Sequence, residues 1–343
     1  MQNYTMPHQD SCFHCNLYDT TPELTPAILD TLGHLTLAPK DLEDVHHSVL
    51  KSLQAARPEQ LPVVSKFLLN NTPQPMAYQV PLYCLVKDVY DVAGVRPLDF
   101  LILLMFYDSV PSQRRAIESI FRNKIRTGFF SDTLLEKIFT NHSCVLKENF
   151  EPLRKLANLL LRCPEPIISQ TGASLYRLSF LHLDGYQQQE IVLALLKHLG
   201  DNVAVRFTAL SLLSLLAHQY TAAMSKFTIF LKGSLDVVDE LGIGEVKRLL
   251  DVVSLLVYCD SSHAALQDEL IILVRKQLSH SVLKYKLIGV LNAALAMKNM
   301  VVRDDSLSTT TSSKSSGSGL NTSSLKEAEN LLCLVLSSTA KSP

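Results

Sequence analysis

The sequence contains no tryptophan and little glycine, and these two shortages narrow the range of possible folds. Among 343 residues there are 12 glycines, half of the roughly 7% that is usual in globular proteins. Barrels, sandwiches and dinucleotide-binding sheets need glycine in tight turns and phosphate-binding loops, so these folds are disfavoured. Aromatic residues make up 7% of the chain and hydrophobic residues 47%. This composition indicates an all-α protein and excludes disorder over most of the chain.

An excess of charge of either sign is also missing. Lys and Arg number 32 against 33 Asp and Glu, so the formal net charge is -1 and any basic surface must be local. The longest uncharged stretch, residues 207–225, contains serine, threonine and histidine and is a poor membrane span. The first residues lack the pattern of a signal peptide. We therefore expect a soluble cytosolic or nuclear protein whose seven cysteines are reduced thiols.

Helical periodicity runs from about residue 21 to residue 300, with short breaks and no convincing strand alternation. Helices of similar length joined by short breaks are typical of an irregular α-solenoid of the HEAT or armadillo type, although a compact bundle remains an alternative. Residues 1–20 are expected to be a flexible tail, and residues 301–324 a disordered Ser/Thr-rich linker. Residues 325–343 are expected to form an isolated terminal helix of a truncated following region. From residue 79 onward the predicted helices cover residues 79–94, 97–108, 111–127, 131–141, 144–162, 169–184, 187–199, 202–217, 220–232, 243–258, 262–279 and 282–298.

No catalytic or cofactor-binding motif is recognisable in the chain. It contains no P-loop, no nucleophile elbow, and no zincin or kinase signature. The Gly-Ile-Gly of residues 242–244 lacks the preceding strand and third glycine of a dinucleotide fingerprint, and we interpret it as a helix-capping turn. Cys12 and Cys15 form a C-x-x-C pair without a second pair at the spacing of a zinc site. The sequence thus predicts a protein that is not an enzyme, without a metal, a cofactor or a small-molecule substrate.

One predicted helix, within residues 112–128, carries a local basic cluster. Its charged residues are Arg114, Arg115, Glu118, Arg122, Lys124 and Arg126. The opposite, apolar face is predicted to be buried and consists of Ile117, Ile120, Phe121 and Ile125. Rows of guanidinium groups bind the phosphates of nucleic acids. The candidate DNA-contacting residues are Arg115, Arg122, Lys124 and Arg126. A solvated helix face with one internal salt bridge is the alternative.

A second notable segment, residues 271–300, is predicted to form two helices separated by Ser279-His280-Ser281. On the second helix a stripe is predicted to face the core; it consists of Leu283, Leu287, Val290, Leu291, Ala294 and Lys298. Tyr285 points away from this stripe. Lys286 lies at its edge, about 60° from the stripe axis at 100° per residue. Its alkyl stem can lie on apolar surface while its amine reaches the solvent, as in many amphipathic helices.

This segment also carries a resemblance to a known family. LVRKQLSHSVLKYKLIGVLNAALAM resembles the helix pair that bears the ubiquitin-acceptor lysine in the Fanconi anaemia group D2 family. Other blocks, such as FRNKIRTGFFSDTLLEKIF and IFLKGSLDVVDEL, resemble the same family in the same order. The resemblance extends over residues 21–300 and more faintly over the last helix. Members of that family are several times longer than this chain.

The resemblance implies an α-solenoid that pairs with the Fanconi anaemia group I protein and closes as a clamp around double-stranded DNA. It also implies that the ubiquitin ligase of the Fanconi core complex, with its conjugating enzyme, attaches one ubiquitin to Lys286. Lys284 is the nearby lysine that the resemblance does not select. The implied role is that of a nuclear DNA-repair scaffold in interstrand cross-link repair. A helical-repeat adaptor or transport receptor without a DNA role remains the alternative, although a chain without tryptophan is unusual for an armadillo peptide binder.

Overall fold

The computed structural model describes residues 97–109, 114–310 and 319–340, together with isolated positions between residues 27 and 67. The three continuous ranges contain fourteen α-helices and no strand, which confirms the predicted all-α class. Two compact units divide the chain, Met1–Leu183 and Asp184–Pro343. The predicted tail and the predicted helix 79–94 lie outside the described residues.

The first unit is organised around an apolar helix. From residue 97 onward its helices are α1 (Pro97–Ser109), α2 (Arg114–Arg126), α3 (Asp132–Asn141), α4 (Ser143–Glu148), α5 (Phe150–Leu161) and α6 (Pro166–His182). Residues 100–107 of α1 are all buried, because α2, α3 and α5 pack against different sides of this helix. The ring of Phe100 meets the rings of Phe121 and Phe130 edge-on, with centroids 5.5 and 5.3 Å apart. Such edge-to-face contacts add to apolar burial, so this cluster fixes α2 against α1.

The predicted helix 144–162 is interrupted and forms the two helices α4 and α5. Asn149 separates them, and its side-chain Nδ2 donates to the carbonyl of Val145 at 2.9 Å. Pro152 lies in the first turn of α5, where its missing N–H cannot bond the carbonyl four residues earlier. A continuous helix is therefore disfavoured at this point, and proline and asparagine together explain the break.

The helices α5 and α6 form a hairpin with a very close backbone approach. A Cβ added to Gly172 on α6 would overlap the backbone nitrogen of Leu161 at the end of α5. Ser169 strengthens the same contact, because its hydroxyl donates to the carbonyl of Leu161 at 3.0 Å. Only glycine allows the two backbones to come this close.

The second unit alternates long helices with short ones. Its helices are α7 (Gly185–Lys197), α8 (Val203–Gln219), α9 (Thr221–Met224), α10 (Thr228–Gly233), α11 (Ile243–Tyr258), α12 (Ala264–Leu278), α13 (Leu283–Thr310) and α14 (Gly319–Thr339). The predicted helix 220–232 is replaced by α9, a 3₁₀ turn and α10. A second 3₁₀ segment, Ser234–Glu240, leads into α11.

Three long helices of the second unit run in the same direction. The paired side chains between α8 and α11 are Arg206 with Glu245, Ser211 with Arg248, and His218 with Asp251. The bonded pairs between α11 and α13 are Asp251 with Lys298 and Ser254 with Asn299. Residue numbers rise together in every pair, so α8, α11 and α13 form a parallel row. A row of parallel helices, each reached through a returning segment, is the arrangement of an α-solenoid.

The carboxyl-terminal part differs from the expected linker and isolated helix. α13 continues to Thr310, ten residues into the segment predicted to be a disordered linker, because residues 290–316 contain neither glycine nor proline to end it. α14 begins at Gly319 and packs against α13 and α12 instead of standing alone. Its inward side is formed by Ala328, Leu331, Leu334 and Val335, of which Leu331 is fully buried. Apolar residues at this three-and-four spacing supply the packing face.

Candidate functional site

Lys286 lies in the first turn of α13 and is partly exposed. His280 caps this turn, because its Nδ1 accepts a hydrogen bond from the backbone N–H of Val282 at 3.1 Å. Val282, Leu283 and Leu287 around the lysine are exposed by 49%, 66% and 46%. The lysine thus emerges beside an exposed apolar patch at the start of a long helix.

The face that α13 turns toward the core is not the predicted stripe. The prediction is wrong for Leu283, Leu287, Ala294 and Lys298, which are exposed, while Val290 and Leu291 are partly exposed. The buried residues are instead Ile288, Gly289, Asn292, Ala293, Leu295, Ala296, Asn299 and Met300. This face includes small residues and two amides. The prediction relied on large apolar residues at helical spacing and therefore placed the opposite side of the helix in the core.

Close packing and hydrogen bonds explain the choice of this face. A Cβ on Gly289 would lie 2.9 Å from the backbone nitrogen of Leu278, so α12 approaches α13 where a side chain is missing. The Asn292 amide donates to the side chain of Gln277 at 3.3 Å. Asn299 makes the corresponding bond to α11. Buried amides need such partners, and both amide nitrogens find them in this rotation of the helix.

The rotation places the two lysines of the first turn on opposite flanks of α13. With 100° per residue, Tyr285 lies near the centre of the buried face, contrary to the predicted orientation. Lys284 and Lys286 then lie about 100° to either side of that centre. The two amines therefore face different surroundings although one residue separates them.

Lys284 and Tyr285 are both bonded to one residue of the 3₁₀ segment. Lys284 Nζ donates to the backbone carbonyl of Asp239 at 2.6 Å. The hydroxyl of Tyr285 donates to the carboxylate of Asp239, and this bond raises the pKa of Tyr285 above its ordinary value. On its other side the ring of Tyr285 lies 4.3 Å from the ring of His280. No local sequence pattern predicts the Asp239 contact, which joins residues 45 positions apart.

The basic helix α2 buries the residues that were expected to be buried. Ile117, Ile120, Phe121 and Ile125 are all in the core, which confirms this part of the prediction. On the opposite side Arg115 is exposed, and Arg122 lies 3.9 Å from Glu118 one turn earlier. Arg126 forms two hydrogen bonds with Glu165, at 2.7 and 2.5 Å. The positive face of α2 is thus partly neutralised by carboxylates.

Lys124 does not belong to the exposed basic face, so its prediction as a DNA-contacting residue is corrected. Its side chain is only 6% exposed, and its ammonium lies 4.5 Å from the centre of the Phe129 ring. Lys124 follows Ile117 by seven residues and so falls on the buried side of the helix. Gly128, with φ of 78°, turns the chain so that Phe129 folds back over the lysine. A lysine held in this way cannot take part in a surface phosphate contact.

Two contacts made by carboxylates at α2 were not predicted from the sequence. The Arg126 hydrogen bonds hold the pKa of Glu165 below its ordinary value. Glu118 accepts a hydrogen bond from the hydroxyl of Tyr107 at 3.4 Å. Burial, followed by the charge of Glu118, raises the pKa of Tyr107 to about 12. Both contacts join different helices, which local sequence patterns do not specify.

The described residues show no candidate metal site. They contain no group of three or more His, Cys, Asp or Glu side chains placed to hold a metal ion. The C-x-x-C pair, Cys12 and Cys15, lies outside the described residues. Within the same described ranges, no helix combines the length and apolar character that crossing a bilayer requires.

Comparison with known proteins gives a consistent result. A sequence model of the family described as "Fanconi anaemia protein FancD2 nuclease" matches residues 84–343. The chain is 27% identical over 391 residues to the Fanconi anemia group D2 protein homolog of Mus musculus, covering 93% of this chain and 27% of that protein. It is 25% identical over 347 residues to the Fanconi anemia group D2 protein of Gallus gallus, covering 82% and 24%. Identity to the Rattus norvegicus homolog is 25% over 390 residues, covering 93% and 26%. The chain spans about a quarter of the length of these curated relatives.

Proposed function

The chain belongs to the FancD2 family of Fanconi anaemia proteins, and we propose on this basis that it is a DNA-repair scaffold that accepts one ubiquitin on Lys286. Family membership over residues 84–343 is the observation that carries the proposal, since this range contains the whole KYKLIG segment. The position of Lys286 supports it. A partly exposed lysine in the first turn of a helix can extend its flexible stem toward an enzyme.

The proposal includes the partners that the family resemblance implies. These are the Fanconi anaemia group I protein as the other half of a heterodimer, the core-complex ubiquitin ligase with its conjugating enzyme, and double-stranded DNA. The setting is the nucleus and the process is repair of interstrand cross-links. Val282, Leu283 and Leu287 give the surroundings of Lys286 an apolar surface of the kind that protein interfaces bury at their centres.

On the α2 face, fewer residues are proposed to contact DNA than the sequence predicted. Arg115 and Arg122 are the proposed phosphate contacts, because Lys124 is buried and Arg126 is bonded to Glu165. Two arginines supply a modest, salt-sensitive attraction to duplex DNA rather than a complete binding site. The remaining affinity would come from the partner and from other parts of the clamp.

The family description also contains the word nuclease, which names a catalytic activity. Nucleases that use two metal ions bind them with clustered carboxylates, and the two ions lie about 4 Å apart. We propose a non-catalytic role for this chain, and the test is incubation with labelled single-stranded, duplex and branched DNA in Mg²⁺ or Mn²⁺. Intact DNA is the expected result. Cleavage that copurifies with the chain and changes with single carboxylate substitutions would contradict it.

The ubiquitin proposal is tested by a reconstituted reaction with the core-complex ligase, its conjugating enzyme, the group I partner and duplex DNA. The wild-type chain is expected to gain one ubiquitin. Lys286→Arg is expected to lose it, whereas the matched variant Lys284→Arg keeps it. If a folded wild-type chain stays unmodified, or if only Lys284→Arg loses the mark, the assignment of Lys286 is wrong.

The DNA proposal is tested by measuring duplex binding as a function of salt. The double variant Arg115→Glu and Arg122→Glu should reduce the slope of log K against log salt by about 2, because each phosphate contact contributes about 0.9. Lys137→Glu, on an exposed position of α3, is the control for a single charge reversal on the same unit. Equal slopes for wild type and the double variant would favour the adaptor alternative without a DNA role.

A further inference from the structure

The flank of α11 that faces α13 carries a basic wall. Asp251 marks this flank, because its carboxylate accepts a hydrogen bond from Lys298 on α13 at 3.3 Å. Residues three, four and seven positions earlier lie on the same flank of the helix, and they are Arg248, Lys247 and Gly244. Lys247 and Gly244 are exposed, and a Cβ added to Gly244 would meet no atom within 4 Å. The space beside this wall is therefore open.

The flank of α13 that faces α11 carries an apolar wall. Lys298 marks this flank by its bond to α11, and residues four, seven and eleven positions earlier share it. These residues are Ala294, Leu291 and Leu287. Ala294 and Leu287 are exposed, and Leu291 is partly exposed. The two walls together form the α11–α13 groove, which has cations on one side and about one apolar residue per helical turn on the other.

The cations of the basic wall are held in place without a carboxylate to neutralise them. The guanidinium of Arg248 lies 4.0 Å from the centre of the Phe207 ring on α8, and its Nη1 donates to the hydroxyl of Ser211 at 2.9 Å. Among the residues that the structure describes, neither Arg248 nor Lys247 forms an ion pair with Asp or Glu. The basic wall therefore presents positive charge that a binding partner can compensate.

We infer that the α11–α13 groove binds an acidic amphipathic helix of another protein. The apolar side chains of that helix pack on the α13 wall, and its carboxylates pair with Lys247 and Arg248. Asp251 at the end of the groove does not oppose this pairing, because His218 and Lys298 each lie 3.3 Å from its carboxylate. The inference is independent of the ubiquitin proposal, because the acceptor lysine belongs to neither wall.

The spacing and the charge of the two walls both favour this occupant. Apolar residues that recur along one side of a helix form a ridge, and a second helix packs its own apolar ridge beside it. Uncompensated cations next to that ridge select carboxylates on the polar side of the incoming helix. A nucleic acid is disfavoured, because its phosphates need hydrogen-bond donors and the α13 wall offers only leucine and alanine side chains.

The first experiment measures the binding of a fluorescein-labelled synthetic peptide to the full chain by fluorescence anisotropy. The peptide forms a helix with leucine on one face and glutamate on the other. A dissociation constant of about 10 to 100 µM is expected, as for a small, transient interface. A matched peptide with lysine in place of glutamate should bind at least about tenfold more weakly. Equal affinity for the two peptides, or no binding at about 1 mM, would overturn the inference.

Three variants locate the bound peptide. Lys247→Glu should weaken binding of the glutamate peptide about fivefold through charge, and Leu287→Ser about fivefold through lost apolar contact. Gly244→Phe places a ring in the open space of the groove and should weaken binding about tenfold without a change of charge. Lys226→Glu, at an exposed position of the 3₁₀ turn Ser225–Phe227, is the control for charge reversal and should leave binding unchanged. Circular dichroism verifies that each variant is folded.

The variants also distinguish the groove from other binding sites. Unchanged binding of the glutamate peptide in Gly244→Phe, or an equal loss in Lys226→Glu, would show that the peptide binds elsewhere and would overturn the inference. A labelled single-stranded or duplex oligonucleotide is tested in parallel. If it displaces the peptide from the wild type and loses affinity in Gly244→Phe, the groove is a nucleic-acid site and the inference is wrong.

Discussion

The side-chain amide of Asn299 on α13 donates a hydrogen bond to the hydroxyl of Ser254 on α11 at 3.0 Å, and both side chains are buried. This polar pair joins neighbouring long helices of the second unit within their core. A buried amide or hydroxyl that loses its partner pays the desolvation cost without compensation. The rotation of α13, and with it the position of Lys286, therefore depends on this bond.

Asn299→Ala should destabilise the second unit by about 1 to 3 kcal/mol, because the Ser254 hydroxyl is left unpaired in the core. Amide hydrogen exchange of α13 residues measures the effect locally, and exchange should become faster. The double variant with Ser254→Ala should cost less than the sum of the two single variants, since neither partner is then left alone. Strictly additive costs would contradict the described bond.

Gly289→Ala should weaken the contact of α12 with α13 by about 1 to 3 kcal/mol. A Cβ there would meet the backbone nitrogen of Leu278 at 2.9 Å and the Cβ of Gln277 at 3.0 Å. Gly244→Ala is the matched control, because its added Cβ meets nothing within 4 Å and alanine favours the helix. Chemical denaturation of both variants provides the comparison. A Gly289→Ala chain as stable as Gly244→Ala would contradict the close helix approach.

The sequence was sufficient for the fold class and for the buried apolar face of α2, but not for the rotation of α13. In α2 the apolar residues Ile117, Ile120 and Phe121 are bulky, and burial of bulky residues dominates the free energy. In α13 Leu283 and Leu287 lie outside because Gly289 allows a close approach, and because Asn292 finds a partner on α12. The periodicity of hydrophobic residues predicts neither the close approach at Gly289 nor the hydrogen bond of Asn292. Tertiary contacts therefore determine the rotation of α13. The orientation predicted from the pattern of leucines was wrong.

Tyr107 should titrate with a pKa of about 12 in the folded protein, above the ordinary value of 10.0. Burial disfavours the phenolate, so the contribution of Tyr107 to stability is complete below pH 10 and is lost as the pH rises from 10 to 12. Ultraviolet titration of tyrosinate in wild type and Tyr107→Phe isolates this residue by difference. Glu118→Gln should lower the pKa but leave it above 10.0, because burial is the larger cause. A difference titration centred at 10.0 would show that Tyr107 is exposed.

Glu165 should titrate below the ordinary carboxyl value of 4.5, because Arg126 bonds its charged form. A lowered pKa means that the contribution of the pair to stability is present above pH 4.5 and is lost as the pH falls through the folded-state pKa. Carboxyl carbon resonances followed by NMR report the titration. In Arg126→Gln the pKa of Glu165 should return toward 4.5, and added salt should reduce the difference. An identical pKa in both proteins would show that the pair does not persist in solution.

The candidate site was predictable only in part, for physical reasons that differ between its residues. Resemblance to a known family selected Lys286, while the helical pattern alone described an ordinary amphipathic lysine. The Asp239 bond to Lys284 and the Glu165 bond to Arg126 connect residues far apart in sequence. The prediction from charge alone also included Lys124 among the DNA-contacting residues of α2. Its position seven residues after Ile117 places it under the Phe129 ring. Long-range contacts such as these depend on the folded arrangement of helices.

A complete map of ubiquitinated lysines on the wild-type chain tests the central claim most directly. The reaction contains the core-complex ligase, its conjugating enzyme, the group I partner and duplex DNA. Intact mass counts the ubiquitins, and fragment masses locate each one. The account predicts one ubiquitin per chain, attached to Lys286. Ubiquitin distributed over several exposed lysines, or a folded chain that remains unmodified, would contradict it.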